Sequence, residues 1–197
     1  MAKPPSDQFD RREFLKGSGA AAAATALATG TSANAQQQQP AVTSGWSDIS
    51  LHVNGQNRKV RVEPRTTLLD VLRYQLNLTG AKPVSSDGSS GASTVMIDGK
   101  PATASTTLAL AARGKKIQTA ESLAGDACPA AFVEHDAQQC GFCTPGFVVA
   151  VRAFLHQNPN ATEEEIRQGL NGNLCRCGTY ANVLQAAVAI VKGGPNG

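Results

Sequence analysis

Between residues 47 and 120 the apolar positions alternate in short runs, which is typical of β-strands. Two dipeptides, Asn54-Gly55 and Asp98-Gly99, are typical of tight hairpin turns. The predicted elements are strands at 49–53 and 60–62, a helix at 67–73 capped by Thr66 or Thr67, and a hairpin at 94–104. Strand, strand, helix, long Gly/Ser loop and hairpin is the order of a β-grasp domain, which we predict for residues 47–120.

The apolar spacing changes to a helical period after residue 121. Helices are predicted at 127–138, from Thr144-Pro145, from Thr162 and at 180–191. Thr144 is expected to cap the second helix, with Pro145 at its first position. Thr162 and Glu165 have the spacing of a capping box at the third. The predicted fold class is therefore α+β, with a β-grasp domain followed by a four-helix bundle at 121–193.

The first thirty-five residues have the pattern of an export signal. A twin-arginine motif at 10–16 precedes an Ala-rich run at 20–28 and an Ala33-Asn34-Ala35 cleavage site. The alternative is a disordered tail, which the ordered succession of three signals disfavours. We predict a twin-arginine signal peptide at 1–35, a linker at 36–46 and a periplasmic location. No segment is long and apolar enough to anchor the chain in a membrane.

Charge and composition limit the partners of the chain. Cleavage after Ala35 would remove four of the 18 basic and three of the 15 acidic residues, leaving a net charge of +2. The remaining sequence has neither a basic stripe nor an aromatic ladder, so nucleic acid is not an expected partner.

Four of the five cysteines form one pattern, a C-x₂-C pair followed some thirty residues later by a C-x-C pair. They are Cys140, Cys143, Cys175 and Cys177. Four thiolates are the usual ligand set of an iron–sulfur cluster. A structural zinc site would also accept four cysteines, although its second pair is usually C-x₂-C. Crosswise disulfides are a third alternative. Cys128 stands outside the set and is expected to be a small buried hydrophobe.

A second set of four positions lies upstream and carries serine. Ser85, Ser90, Ser93 and Ser105 have the spacing of a plant-type iron–sulfur loop, C-x₄-C-x₂-C…C. A serine hydroxyl stays protonated near neutral pH and is a hard oxygen ligand, so four serines should not hold iron and sulfide. We expect no cluster at this loop, which then lacks the crosslink that a cluster would provide. Serine hydroxyls can hydrogen-bond to the loop backbone and partly compensate for this loss.

The two runs around the cysteines, QCGFCTPG at 139–146 and NLCRCG at 173–178, resemble one family. The chain is similar to the small iron–sulfur subunit of the molybdenum hydroxylases, the xanthine dehydrogenase/aldehyde oxidoreductase family. The resemblance covers residues 51 to about 191. The family's pattern has cysteine at Ser85, Ser90, Ser93 and Ser105, so the serines are a departure from it.

The resemblance implies a plant-ferredoxin-like β-grasp domain and a helical [2Fe–2S]-binding domain. It implies that Cys140, Cys143, Cys175 and Cys177 hold one [2Fe–2S] cluster and that Gln139 contacts a molybdenum–pterin cofactor. That cofactor would lie in a separate large catalytic subunit. Electrons would pass from it through this chain towards a flavin subunit or a cytochrome acceptor.

On this interpretation the chain has no catalytic residues of its own and acts as an oxidoreductase only within a complex. Two other functions stay open at this point. One is a structural or assembly subunit of the same complex without a redox role. The other is a zinc-binding structural module.

Overall fold

The computed structural model describes residues 43–193. The predicted signal peptide at 1–35 lies outside this range, as does the predicted linker up to residue 42. In the described part, no helix is sufficiently long and apolar to cross a membrane.

Five strands form one mixed sheet. They are β1 (Ser47–Val53), β2 (Gln56–Val62), β3 (Thr94–Ile97), β4 (Lys100–Thr103) and β5 (Lys116–Gln118), in the order β2-β1-β5-β3-β4. Strand β1 runs parallel to β5, and the other neighbours are antiparallel. Both predicted hairpin turns are present, and positive φ values at Asn54 (49°) and Gly55 (78°) give the first turn the hand that fits the strand twist.

One helix packs on a face of the sheet. It begins as α1 (Leu68–Asp70) and continues as a π-helical segment (Val71–Gln75). Thr67 is the N-cap, and its hydroxyl and the Asp70 carboxylate form a capping box. Its leucines are buried with the odd-numbered apolar residues of β1 in the first hydrophobic core.

A side chain covers part of the free edge of the sheet. Strand β2 is the outermost strand on its side, so part of its backbone has no neighbouring strand to pair with. The Gln75 amide bonds both backbone groups of Arg61: its Oε1 accepts from the N–H at 3.1 Å, and its Nε2 donates to the carbonyl at 2.9 Å.

Four helices make up the second half: α2 (Ala127–Glu134), α3 (Thr144–Gln157), α4 (Glu163–Gly169) and α5 (Tyr180–Val191). Helix α2 ends four residues earlier than predicted. Asp136 adopts a positive φ of 50°, and the Ala137 N–H bonds the Phe132 carbonyl at 2.8 Å, which is a Schellman ending. The Thr162–Glu165 capping box is present.

The helical half has its own hydrophobic core, centred on the buried residues of α3. Met96 belongs to this second core although it lies on β3, so the helices pack against the face of the sheet opposite α1. Asp126 caps α2 and also pairs with Arg152 of α3 at 2.5 Å. The observed α+β architecture agrees with the predicted fold class.

Candidate metal centre

The first cysteine pair lies in the turn between α2 and α3. Cys140 is exposed and Cys143 is half-buried at the N-cap position of α3. Gly141 between them has a φ of +76°, a left-handed conformation that glycine adopts without strain. Thr144 is therefore the first residue of the helix rather than its cap, which corrects the sequence-based expectation.

The second pair lies in the loop between α4 and α5. Cys175 is buried and Cys177 is exposed. The Tyr180 hydroxyl accepts the Cys175 N–H at 2.7 Å, and the Thr179 Oγ1 lies 3.2 Å from the Cys175 Sγ. Neither Thr179 nor Tyr180 is a predicted site residue, and their place just after the C-x-C pair is the only signal that could have suggested a role.

A cavity of about 410 Å³ opens beside the cysteines. Its lining includes Cys140, Cys143 and Cys175, together with Arg176. Four of its lining residues are large, apolar or aromatic, and exposed: Val84, Phe142, Leu174 and Tyr180. Three of the four thiols therefore line a depression whose rim carries exposed apolar side chains.

The thiols of the two loops influence one another's pKa, chiefly Cys143 with Cys175 and Cys177 with Cys140. Burial is the main cause that raises the pKa of Cys143 to about 12, and hydrogen bonding and charge from Cys175 add to it. Burial also acts to raise the pKa of Cys175, but hydrogen bonds, chiefly from Thr179, outweigh it and lower the pKa to about 7. Cys175 thus ionises first, and its negative charge disfavours a second thiolate at Cys143.

The other pair is Cys140 and Cys177. The Cys140 N–H acts to lower the pKa of Cys177, but the Cys140 thiol, desolvation and neighbouring charge raise it overall. Within residues 43–193 no group of three or more His, Cys, Asp or Glu side chains could hold a single metal ion. The larger influences of one thiol on another run between the two loops, as expected if both loops contribute ligands to one cluster.

The residues around the thiols suit an anionic metal group. Helix α3 has no side-chain cap at its N-terminus, so its first N–H groups are free to face negative charge beside Cys143. The Thr144 Oγ1 is buried without a hydrogen-bond partner in the described structure. Soft sulfur donors, free N–H groups and an unpaired hydroxyl fit an iron–sulfur cluster.

Comparison with known proteins agrees with this chemistry. Residues 119–188 match the [2Fe-2S] binding domain family, and residues 8–28 match the twin-arginine translocation pathway signal sequence. The chain is 41% identical over 144 residues to the nicotine 6-hydroxylase small subunit of Paenarthrobacter nicotinovorans, covering 72% of this chain and 87% of that one. It is 39% identical over 157 residues to the aldehyde oxidoreductase iron–sulfur-binding subunit of Escherichia coli (strain K12), covering 70% and 69%.

The solved quinoline 2-oxidoreductase from Pseudomonas putida 86 contains a chain of the same fold, with a TM-score of 0.69 and 39% identity. The match covers 76% of this chain and 99% of that chain. The chain belongs to the iron–sulfur subunits of the molybdenum hydroxylase family. The predicted family, fold class and [2Fe–2S] cofactor are thereby confirmed, as is the large molybdenum-binding subunit as partner.

In this iron–sulfur subunit the loop at residues 85–93, called the serine loop below, lies against the loop between α4 and α5. The second loop carries Cys175 and Cys177 and is called the cysteine loop below. The Leu174 N–H donates to the Ser90 carbonyl at 3.0 Å, and the Asn173 Nδ2 donates to the Gly91 carbonyl at 3.0 Å. The approach is so close that a Cβ on Gly91 would lie 2.3 Å from the Gly172 carbonyl oxygen. Ser90 and Ala92 line the same cavity as the thiols.

The four serines of the subunit also form two pairs. The Ser85 and Ser90 Oγ atoms lie 2.9 Å apart, and the Ser93 and Ser105 Oγ atoms lie 3.0 Å apart. Ser93 is buried and the other three are half-buried. Hydrogen bonds between hydroxyl groups thus connect the loop at these positions, in line with the compensation expected from serine.

Two further predicted residues have defined positions. Gln139 is exposed and directly precedes Cys140, and its predicted contact with a pterin stays a prediction. Cys128 is buried in the helical core near the start of α2, outside the two pairs. Burial, and next the charge of Asp126, raises its pKa to about 12, which agrees with an inert apolar role.

Proposed function

We propose that this chain carries electrons through a single [2Fe–2S] cluster held by Cys140, Cys143, Cys175 and Cys177. The observation that supports the proposal is that Cys140, Cys143 and Cys175 line one cavity while Cys177 interacts with Cys140, so both loops contribute thiols to one place. When bound, the cluster supplies a one-electron carrier. The chain's residues bind it, shield its buried side and offer N–H groups to its negative charge.

We further propose that the large molybdenum-binding subunit covers the apolar rim of this cavity. Val84, Phe142, Leu174 and Tyr180 are each about half exposed (52%, 49%, 55% and 45%) although they lie around one opening. Exposed apolar side chains grouped in this way are characteristic of protein interfaces. Gln139 lies at the start of the C-x₂-C loop and would face the pterin cofactor from this surface. Electrons would leave towards a flavin subunit or a cytochrome.

The proposed compartment is the periplasm, supported by the signal sequence at residues 8–28. Replacing Arg11 and Arg12 together by lysine should retain the protein in the cytoplasm, as measured by cell fractionation. Export of the double variant at the normal level would contradict a twin-arginine route.

The ligand assignment is tested by counting iron. The purified wild-type complex should contain about two irons and two labile sulfides for each copy of this chain, beyond those of other subunits. Cys143→Ser and Cys177→Ser, one from each thiol pair, should lose this iron and its paramagnetic signal. Cys128→Ala is the matched control, because it removes a thiol outside the pairs and should keep both. Retention of full iron in either ligand variant would contradict the assignment, and zinc in place of iron would support a structural module.

Electron transfer is tested separately from cluster binding. Turnover of the complex with an artificial electron acceptor should fall strongly in Cys140→Ser. If turnover persisted at the full rate, the chain would be a structural subunit without a redox role.

A further inference from the structure

Three of the four serine hydroxyls bond backbone as well as another serine. The Ser85 Oγ accepts the Ser90 N–H at 3.1 Å, and the Ser93 Oγ accepts the Ser105 N–H at 3.3 Å. The Ser90 Oγ lies 3.4 Å from the Ala92 N–H. Each hydroxyl pair thus ties two separate stretches of backbone together, and it does so in a half-buried environment where unpaired N–H groups would be costly.

The second pair connects distant parts of the domain. Ser93 directly precedes β3, whereas Ser105 follows β4. The Ala104 N–H donates to the Ser93 carbonyl at 3.0 Å, so backbone and side-chain bonds reinforce the same connection. The first pair closes the loop itself, five residues apart.

The serine loop, closed in this way, supports the cysteine loop. The carbonyls of Ser90 and Gly91 receive the Leu174 N–H and the Asn173 side chain, immediately before Cys175. Asn173 is itself buried. Gly146 of α3 also packs closely against this loop, since a Cβ there would lie 2.5 Å from the Gly91 carbonyl oxygen. Helix α3, which has Cys143 at its N-cap, and the loop that carries Cys175 therefore both adjoin residues 90–92.

We propose that Ser85, Ser90, Ser93 and Ser105 form a metal-free clamp that fixes residues 85–93 and thereby positions Cys143 and Cys175 at the neighbouring metal centre. A protonated hydroxyl both donates and accepts, so two hydroxyls can satisfy each other and a backbone N–H without a metal. The serines are positioning residues, because they act on the centre through backbone. The proposal goes beyond the ligand assignment above, since it explains why the loop keeps its shape although its hydroxyls are unsuited to iron.

The first test removes one hydroxyl from each pair. Ser85→Ala leaves the Ser90 N–H without its acceptor, and Ser93→Ala does the same for Ser105. Each variant should lower the Tm of the holoprotein by several degrees. Each should also change the line shape of the paramagnetic signal from the remaining centre and shift its reduction potential. Ser86→Ala, an exposed neighbour in the same loop, is the control and should change neither. Ser85→Thr keeps the hydroxyl and should restore the wild-type signal.

A purely structural role would give a different result. If Ser85→Ala and Ser93→Ala lowered Tm but left the signal and potential at wild-type values, the positioning part of the proposal would be overturned. The same variants would overturn the clamp itself if they matched Ser86→Ala in both measurements.

The second test asks whether the clamp is metal-free. Wild-type protein should hold about two irons per chain, and the variant with cysteine at all four serine positions should hold about four and show a second paramagnetic signal. The double variant Ser85→Cys/Ser90→Cys offers only two thiols in this loop and should stay at about two irons per chain. Four irons in the wild type would overturn the metal-free clamp. A wild type without any iron would instead contradict the Cys140/Cys143/Cys175/Cys177 assignment, so the two failures can be told apart.

Discussion

Replacing Gly91 by alanine should loosen the contact between the serine loop and the cysteine loop. Gly91 has a φ of +65°, and an added Cβ would lie 2.3 Å from the Gly172 carbonyl oxygen and 2.7 Å from the Asn173 Nδ2. Two costs therefore combine. The left-handed conformation costs a residue with a Cβ about 1–2 kcal/mol, and forcing an extra carbon into a closely packed site typically costs about 1–3 kcal/mol.

The expected loss of stability is about 2–5 kcal/mol, the sum of both costs. For a domain of this size each kcal/mol lowers Tm by about 2–4 °C. Gly99→Ala is the matched control, because Gly99 has a similar φ of +77° and no atom within 4 Å of the added Cβ. It should show the conformational cost alone.

Thermal denaturation of the holoprotein gives the Tm of each variant, and electron paramagnetic resonance reports on the metal centre. Gly91→Ala should have the lower Tm of the two and an altered signal, because the displaced Gly172–Asn173 segment leads directly to Cys175. Gly99→Ala should keep the wild-type signal. Equal losses of Tm in both variants would refute the close-contact reasoning, and an unchanged signal in Gly91→Ala would refute the coupling to the centre.

Two further predictions concern single side chains. In the metal-free protein, Thr179→Val should raise the pKa of Cys175 from about 7, because it removes the hydroxyl that bonds this thiol. The pH midpoint for alkylation of Cys175, measured by mass spectrometry, should therefore move upwards. An unchanged midpoint would exclude the Thr179 hydroxyl as the main donor. Burial acts to raise the pKa of Asp126, but the Cys128 N–H and Arg152 outweigh it and hold this pKa below its ordinary value of 3.8. The ionised carboxylate therefore stabilises the fold above pH 3.8, and this stabilisation is lost as the pH falls through the lower pKa of the folded state. Asp126→Asn should weaken this acid dependence of Tm, whereas a parallel acid dependence in variant and wild type would assign it to other groups.

Local signals in the sequence predicted the elements well where short-range geometry decides them. Asn54-Gly55 forms the expected turn because a hairpin of this hand needs positive φ at both residues. Thr162 and Glu165 form the expected capping box because both partners lie within one helical turn. The cysteine pattern predicted an iron–sulfur cofactor, which the family match confirms, because iron–sulfur chemistry constrains ligand type and spacing; that these four cysteines hold it stays a prediction.

Three features were not predictable, two because the local sequence does not signal them and one because it depends on a distant contact. The early end of α2 rests on Asp136 in a left-handed conformation, which non-glycine residues adopt only occasionally. Cys143, rather than Thr144, occupies the N-cap of α3, and no local signal distinguishes the two. The pairing of Ser93 with Ser105 requires the β3–β4 hairpin to be in place, since twelve positions separate the two residues.

The Gln75 amide has a consequence for the subunit before it joins its partner. An unpaired outer strand can recruit strands from other chains and start aggregation. One amide side chain here imitates a neighbouring strand at Arg61, donating and accepting as a paired backbone would. A single copy released on its own thus presents fewer open bonding positions to other copies, which favours solubility during the interval before assembly.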